Sequence, residues 1–311
     1  MKKEFLNMLA CPVCNKSLKK TGNVLTCSKK HSFKISKSVP IMSDLDPYLE
    51  TEAKAWEDEW QKGVSKNALK AYKINMRTFK KLKFWEESGE AAGFIPSDKN
   101  FTVLDLACGN GVSTANIKGN NVVGLDLSTT QMVRAKSKFK HTNYVMGDAE
   151  KLPFKDNTFD LIVAINMLHH VYHPNRVLKE AFRVLKNNGK ILTVDPNLHN
   201  PIGFTGRGLY RLLRLKKIFP TFPQFALGED EKQYTKDEYY KLFKKSPFKE
   251  YIIKPHRIER ILFFSTILVP SLVNIPGYEK ILMVISKFGN NIVQIKPFDR
   301  LCYFWLGEAT K

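Results

Sequence analysis

The stretch Val103-Leu104-Asp105-Leu106-Ala107-Cys108-Gly109-Asn110-Gly111 decides how this chain is read. A short apolar strand carries an acid near its end, and two glycines follow where a helix would open. Small residues let a backbone approach a bound ligand that a side chain would hold away. The combination predicts a nucleotide-binding turn. A dinucleotide site adds a third glycine, in G-x-G-x-x-G, for tight helix packing. Here the frame runs Gly109-x-Gly111-x-x-Thr114, so the residues downstream must discriminate.

Those residues repeat the theme. Asn121-Val122-Val123-Gly124-Leu125 is a second strand that ends in Asp126, 21 residues after Asp105. Folds of this kind place an acid on ribose hydroxyls at about that distance. A carboxylate accepts from two vicinal hydroxyls and repels the extra phosphate of a phosphorylated ribose. A third strand, Asn143 to Met146, leads into Gly147-Asp148-Ala149-Glu150, where Asp148 can accept from an adenine amino group. Phe159 to Asn166 is apolar enough to be buried on both faces, as strands of parallel sheets are. Pro174 to Lys186 predicts a helix with Val177, Leu178, Ala181, Val184 and Leu185 inward, closed by Asn188-Gly189. Lys190 to Asp195 is the next strand. Strands and helices in this rhythm predict a parallel sheet with right-handed crossovers.

Residues 101–195 resemble the class I S-adenosylmethionine-dependent methyltransferases. The resemblance is carried by five blocks in order, at 103–111, 124–128, 147–154, 159–170 (ending Leu168-His169-His170) and 183–192. It implies an α/β fold, a Rossmann-like doubly wound and mostly parallel seven-stranded sheet with helices on both faces, and S-adenosylmethionine as cofactor. By the same resemblance Asp105, Gly109 and Gly111 border the methionine part. Asp126, with Leu127 beside it, holds the ribose, and Asp148 with Ala149 frames the adenine. Asn166 and Leu168 border the sulfonium and the acceptor. Methyl transfer from a sulfonium is an in-line displacement in which the cofactor brings reactivity and the protein brings alignment. A base is needed only where the acceptor must lose a proton. The candidates are His170 first, then His169 and Asn166, with His173 also near the mouth of the site.

The first forty residues differ in kind. Cys11-Pro12-Val13-Cys14 is a knuckle, and Cys27-Ser28-Lys29-Lys30-His31 follows after 12 intervening residues. Thiolates and an imidazole at this spacing suit tetrahedral zinc. A piece this small cannot bury enough apolar area to hold itself, so a metal would supply the missing stability. Residues 4–43 are similar to the small zinc-ribbon protein that activates several tRNA, rRNA and release-factor methyltransferases. The matching text is Phe5 to Cys14, Leu25-Thr26-Cys27 and Val39-Pro40-Ile41-Met42. An rRNA guanine methyltransferase family carries a similar ribbon, matched at His31-Ser32-Phe33. The resemblance implies a structural zinc on Cys11, Cys14, Cys27 and His31, carried in cis. The expected organisation is a ribbon at 1–46, a helical cap at 47–98 and a methyltransferase domain at 99–311 with insertions at 197–232 and 258–296.

The formal charge of +20 comes from 50 basic and 30 acidic residues among 311. Residues 1–40 hold nine Lys and one acid, a net of +8 that would be drawn to a polyanion. RNA and an anionic membrane surface are the two candidates. Five cysteines, three of them in the ribbon, make no disulfide framework and predict a cytoplasmic chain. Met1-Lys2-Lys3 with Leu9-Ala10-Cys11 imitates a lipoprotein signal, but Glu4 and Asn7 interrupt the apolar run.

Helices are expected over 47–98, where Trp56 and Trp60 share one face and Leu69, Tyr72, Met76 and Phe79 another. Leu209 to Ile218, followed by Phe219, Phe222 and Phe225, predicts a basic helix that folds onto the protein or lies in a membrane interface. Thr235 caps a helix running to Lys245, Phe248 to Lys254 is a sixth strand, and Cys302 to Leu306 is an antiparallel closing strand. The apolar region Ile258 to Ser286 is broken by Pro270 and Pro276 into runs below the roughly 18 residues a membrane span needs. It is expected to be covered by the fold, by a second copy or by a bilayer surface, which would make the chain peripheral to the membrane.

Two acceptor classes follow, a hydrophobic or lipid-linked small molecule and an RNA or translation protein. A third reading is a cofactor-binding regulator without turnover. Asn166-Met167-Leu168-His169 stands where some amino-group methyltransferases carry Asn-Pro-Pro-Tyr, which disfavours a base amine or a glutamine amide. Aromatic stacking motifs of RNA-binding sheets are lacking too. The small-molecule acceptor is therefore preferred.

Overall fold

The structure is a computed structural model that describes residues 2–43, 101–199, 233–256 and 276–311, apart from 112, 113, 116, 118–120, 278, 279, 282, 283, 285–287, 290 and 303. The helices expected over 47–98, the basic helix at 209–218 and most of the apolar region from 258 lie outside the described residues.

Seven strands form the main sheet: β5 (Thr102–Leu106), β6 (Asn121–Asp126), β7 (Asn143–Met146), β8 (Phe159–Ile165), β9 (Leu185–Pro196), β10 (Glu250–His256) and β11 (Phe304–Thr310). Their order is β10-β11-β9-β8-β5-β6-β7. Neighbours pair in parallel from β9 to β7, and β11 alone runs against both of its neighbours. This is the α/β sheet expected from the sequence. Val103, Leu104, Leu106, Ile162, Val163 and Ala164 are fully buried, which accounts for the unbroken apolar runs of β5 and β8. The chain leaves β5 for β6 and β7 on one side, then returns to lay β8 on the other. That reversal opens a crevice at the carboxyl ends of β5 and β8, where ligands bind in such sheets.

Three helices of nine or more residues among the described ones pack on the main sheet. In α2 (Thr129–Lys138) the Ser128 hydroxyl accepts from the Gln131 amide. Pro174 opens α3 (Pro174–Val184), which buries Val177, Leu178, Ala181 and Val184. A capping box between Thr235 and Glu238 starts α4 (Lys236–Lys244), so the expected cap at Thr235 is present.

Three boundaries differ from expectation. Leu185 turns extended (φ −70, ψ 141) and pairs with Phe159, so α3 ends at Val184 and not at Lys186. Core burial and a ladder partner outweigh one more helical turn there. β9 then absorbs Asn188-Gly189 as an irregularity opposite the register shift at Phe159/Leu161. β10 begins at Glu250 because Phe248 is used as core instead. The closing strand begins at Phe304, and Cys302 sits fully buried just before it, after a 3-10 turn at Phe298–Leu301.

The N-terminal piece consists of α1 (Lys3–Met8) and a four-stranded antiparallel sheet, β1 (Leu18–Thr21), β2 (Val24–Cys27), β3 (Ser32–Ser36) and β4 (Val39–Pro40). It is not a loose satellite. Phe5, Leu9, Leu25, Phe33 and Met42 join Val145, Leu152 and Phe154 in one buried cluster. Val39 joins Cys108, Met132, Tyr144 and Met146 in another. Amides cross the boundary as well: Ala10 donates to the Pro153 carbonyl (3.0 Å), Lys155 to that of Met8 (2.9 Å) and Met42 to that of Met146 (2.8 Å). Ile41 bridges Met146 in parallel, which covers the edge that β7 would otherwise expose.

Candidate active site and cysteine cluster

On one side of the crevice two acids are brought together. Asp105 is 3% exposed and its Oδ2 accepts from the Thr114 hydroxyl at 2.7 Å. Burial pushes its carboxyl up to about 7; the Thr114 donation opposes this and the nearby Asp126 charge adds to it. Asp126 is half-buried. Its Oδ2 accepts from the Gly109 amide (2.8 Å) and its Oδ1 from the Ser128 amide (2.9 Å). Burial raises its pKa, against the pull of the Ser128, Gly109 and Leu127 amides. An ionised carboxylate offers about four lone-pair sites, so these two bonds leave room for two more donors.

The turn between them runs through positive φ at Ala107 (61°), Gly109 (52°) and Gly111 (73°). The two glycines serve different ends. A Cβ on Gly111 would come within 2.6 Å of the Tyr144 hydroxyl and 2.7 Å of the Ala135 Cβ, so close packing demands that glycine. A Cβ on Gly109 would meet no atom of the described residues within 4 Å, so packing against them does not demand that glycine.

After β7, Asp148 Oδ1 accepts from the Glu150 amide at 2.8 Å. The Gly147 amide donates to the Asp126 carbonyl (3.0 Å), which ties this loop to the end of β6. From α3, Glu180 accepts from the Leu152 amide (2.9 Å) and Arg183 donates to the carbonyls of Leu152 (2.9 Å) and Phe154 (2.7 Å). The loop holding Asp148 and Ala149 is thus clamped by α3 on one side and by the ribbon on the other.

The opposite side is built around the turn after β8. Asn166 adopts φ 53°, and its amide donates to the Val194 carbonyl at 2.7 Å. Its side-chain Oδ1 is buried with no hydrogen-bond partner among the described residues. Leaving a buried acceptor unmade is costly unless something else supplies a donor. The Leu168 carbonyl accepts from the Tyr234 hydroxyl at 2.9 Å. His169 places Nδ1 2.7 Å from Asp195 Oδ1, which also accepts from the His169 amide at 3.1 Å. Tyr239 lies 3.0 Å from Asp195 Oδ2 and 2.6 Å from Thr193 Oγ1. His170 stands exposed beside this group, its ring 3.8 Å from that of His169. Loss of hydration from surrounding protein, and then the His169 imidazole, hold its pKa below the ordinary histidine value.

Asp105, Gly109, Gly111, Asp126 and Leu127 therefore form one group, Asp148 and Ala149 the adjoining loop, and Asn166, Leu168, His169 and His170 the facing turn. Sequence reading passed over Thr114, Asp195 and Tyr239. Thr114 was visible as the departure from the third glycine, and Asp195 as an acid closing an apolar strand. Helical spacing after Thr235 marks Tyr239 as inward, but nothing local marked it as a partner of Asp195.

In the ribbon, two knuckles face each other. The first folds back through Asn15 (φ 57°), whose amide donates to the Cys11 carbonyl at 2.8 Å, and the second through Lys30 (φ 65°) onto the Cys27 carbonyl at 2.9 Å. The ligand atoms of Cys11, Cys14, Cys27 and His31 all lie within 4.8 Å of one another. Cys14 and Cys27 sulfurs are 3.7 Å apart, and His31 Nδ1 is 3.4 Å from both Cys11 and Cys27 sulfurs. A tetrahedral zinc with bonds of about 2.3 Å to sulfur and about 2.0 Å to nitrogen sets edges of roughly 3.8 and 3.5 Å. The donor set fits. Without a metal, burial pushes the Cys11 thiol up to about 11. Burial opposes ionisation of Cys27 as well, but donation from the His31 and Lys29 amides and from its neighbouring thiols brings it down to about 7.

A family model described as a methyltransferase domain matches residues 104–193. A demethylmenaquinone methyltransferase of Bacillus cereus is 31% identical over 232 residues, which cover 71% of this chain and 82% of that protein. The chain belongs to the S-adenosylmethionine-dependent methyltransferases. An uncharacterized protein of Methanocaldococcus jannaschii is 34% identical to this methyltransferase over 146 residues, 47% of the chain and 61% of the relative, so less than two thirds of that protein is spanned. A solved S-adenosylmethionine-dependent methyltransferase from Archaeoglobus fulgidus overlays this methyltransferase with a TM-score of 0.45 at 17% identity, covering 73% of one chain and 94% of the other. No helix among the described residues of the methyltransferase is long and apolar enough to cross a membrane.

Proposed function

We propose that this chain transfers the methyl group of S-adenosylmethionine to a hydrophobic, lipid-linked ring molecule. The observation that carries the reading is Asp126, whose two oxygens each take one backbone amide and retain capacity for one more donor. That capacity matches the vicinal hydroxyls of a ribose. Leu127 continues the strand end beside it, and Asp148 with Ala149 frames the adenine. Asp105, across the Gly109 turn, faces the cationic methionine part. Asn166 and Leu168 line the sulfonium, and the orphaned Asn166 Oδ1 is left to accept from an N–H or O–H of the cofactor or the acceptor. The bound cofactor supplies an electrophilic methyl group; the protein aligns it with an acceptor and keeps water out.

The acceptor class is supported by the relative named as a demethylmenaquinone methyltransferase. We also propose that Cys11, Cys14, Cys27 and His31 hold one structural zinc that keeps the ribbon folded against β7 and the Asp148 loop. The test is direct. Full-length protein is titrated with S-adenosylmethionine in a calorimeter, then given methyl-labelled cofactor with reduced demethylmenaquinone in micelles, bulk RNA and a cell-extract protein fraction. Label in the quinone is expected; label in RNA or protein would replace the acceptor, and absence of cofactor binding would end the reading. Metal analysis should return about one zinc per chain, and a chain that folds without metal would remove that part.

A further inference from the structure

We propose that the crevice end of the main sheet docks on an anionic bilayer through an apolar stripe running from Ile281 to Phe298, so that the acceptor passes from lipid into the crevice. The inference deepens the lipid-linked reading of the acceptor and rests on it for the purpose of docking, but not for docking itself.

The stripe lies in the connection between β10 and β11. The described residues between 280 and 292 are helical, and the Val293 amide closes the stretch by donating to the Gly289 carbonyl at 3.0 Å. Ile281, Val284, Phe288 and Ile292 follow one another at steps of 3, 4 and 4, which keeps them on one side of a helix. Ile295 and Phe298 come next, in the turns that follow. All six are 43–65% exposed. Gly289 and Val293 are buried instead, and Val293 joins the main core cluster. The stretch is thus seated by one side and turns an apolar side outward, where a surface helix ordinarily carries polar residues. Apolar residues exposed singly are common, but six in succession make a patch of the kind that marks a contact.

Topology puts the patch at the crevice end. β9 and β10 both run against β11, with His256 opposite Phe304 and Phe304 opposite Pro196. The connection therefore leaves and rejoins the sheet at the end where β9 and its parallel neighbours β8 and β5 finish. Gln294 Nε2 donates to the Pro255 carbonyl (3.0 Å), and Asn197 Nδ2 to those of Arg300 (3.0 Å) and Cys302 (2.9 Å). Lys236 of α4 pairs with Asp299 Oδ2 at 2.6 Å. Charge decides the kind of surface that fits. Among the described residues of 276–302 the exposed charged side chains are Lys280, Lys296 and Arg300, while Asp299 is buried in its pair with Lys236. Glu279 and Lys287 of the same stretch cancel in the sequence. An apolar face edged by cations suits a bilayer rich in anionic lipid, where apolar side chains enter the acyl boundary and Lys and Arg reach the headgroups. A second copy of the chain would bring the same three cations to the contact from both sides.

Sedimentation of the full chain with vesicles decides it. Binding is expected to vesicles that mix phosphatidylglycerol with phosphatidylcholine, and should weaken on phosphatidylcholine alone. Phe288→Glu with Ile292→Glu should lower partition onto the mixed vesicles by about tenfold or more, the scale of two large apolar side chains kept in water. Affinity for S-adenosylmethionine should not move. A partition within about twofold of wild type overturns the proposal. If the acidic pair does not fold, Phe288→Ser alone must lower partition by about threefold or more, and an unchanged value overturns it. Lys19→Glu with Lys20→Glu changes exposed residues of β1, in the sheet that docks on β7 at the edge far from β10. It should cost less than the acidic pair; a larger loss moves docking to the N-terminal sheet and overturns the proposal. Wild-type protein that ignores vesicles but forms a dimer dissolved by the acidic pair assigns the patch to a second copy and overturns it too. A chain that binds vesicles yet leaves reduced demethylmenaquinone in them unmethylated overturns the acceptor reading, and the docking face stands.

Discussion

Asp126 and Asp195 mark the two sides of the crevice and are held in opposite ways. Asp126 is gripped by backbone, through the amides of Gly109 and Ser128, and stays half-exposed. Asp195 is gripped mainly by side chains, from residues 26 and 44 positions away, and is fully buried. A backbone-held acid keeps lone pairs for a visitor, because its partners occupy one site on each oxygen. A side-chain-held acid spends its capacity inside the protein and can act on a visitor only through the group it orients. The first arrangement suits binding and the second suits positioning.

That contrast is easiest to break with alanine at each site. Asp195→Ala leaves His169 and Tyr239 without their buried partner, and stability should fall by about 1–3 kcal/mol in urea unfolding, the cost of buried donors left unsatisfied. Affinity for S-adenosylmethionine, measured by calorimetry on the folded fraction, should hardly change. Asp126→Ala should do the reverse. Cofactor binding weakens by about 1–3 kcal/mol, the scale of charge-assisted hydrogen bonds, while the unfolding midpoint moves less. If Asp195→Ala weakened cofactor binding as much as Asp126→Ala does, the two sides would be one site and the division would fail.

The same contrast explains what could be read without coordinates. The Asp126 side is assembled from successive strand ends and the turn between them, so Asp105, Gly109 and Asp126 stood out at fixed local spacing, and the α/β sheet followed from the alternation of elements. The Asp195 side is assembled by folding. Tyr239 reaches Asp195 only because β9 and α4 pack at the same end of the sheet, and no spacing rule links residues 44 apart. His169 and His170 were legible as a pair, but which of them meets a carboxylate is a matter of one turn's geometry. The gathering of Cys11, Cys14, Cys27 and His31 was legible from their spacing, whereas the docking of the N-terminal sheet on β7 was not. That docking depends on Val39, Ile41 and Met42 meeting the last strand of another sheet, and apolar residues carry no address.

The effect most dependent on pH concerns Asp105, 3% exposed at the end of β5. Burial raises its pKa to about 7, from about 3.8 in an exposed chain. The folded state therefore holds a proton that the unfolded state releases between those values. Stability contributed by this group is complete below pH 3.8 and is lost as pH rises to about 7. Asp105→Asn should remove that slope, so the variant gains on wild type between pH 4 and 7, by at most about 1.4 kcal/mol per pH unit. A cationic methionine group facing Asp105 reverses the preference, since it favours the ionised carboxylate. Wild-type affinity for S-adenosylmethionine should then rise with pH up to about 7, by less than about tenfold per unit, and level off above it. Thr114→Val removes the 2.7 Å donation that stabilises the ionised form, so the same curve should shift to higher pH. An affinity that is flat from pH 5.5 to 8 would mean that Asp105 faces the protein and not the cofactor, and would leave Asp126 as the one acid of the pair that meets a ligand.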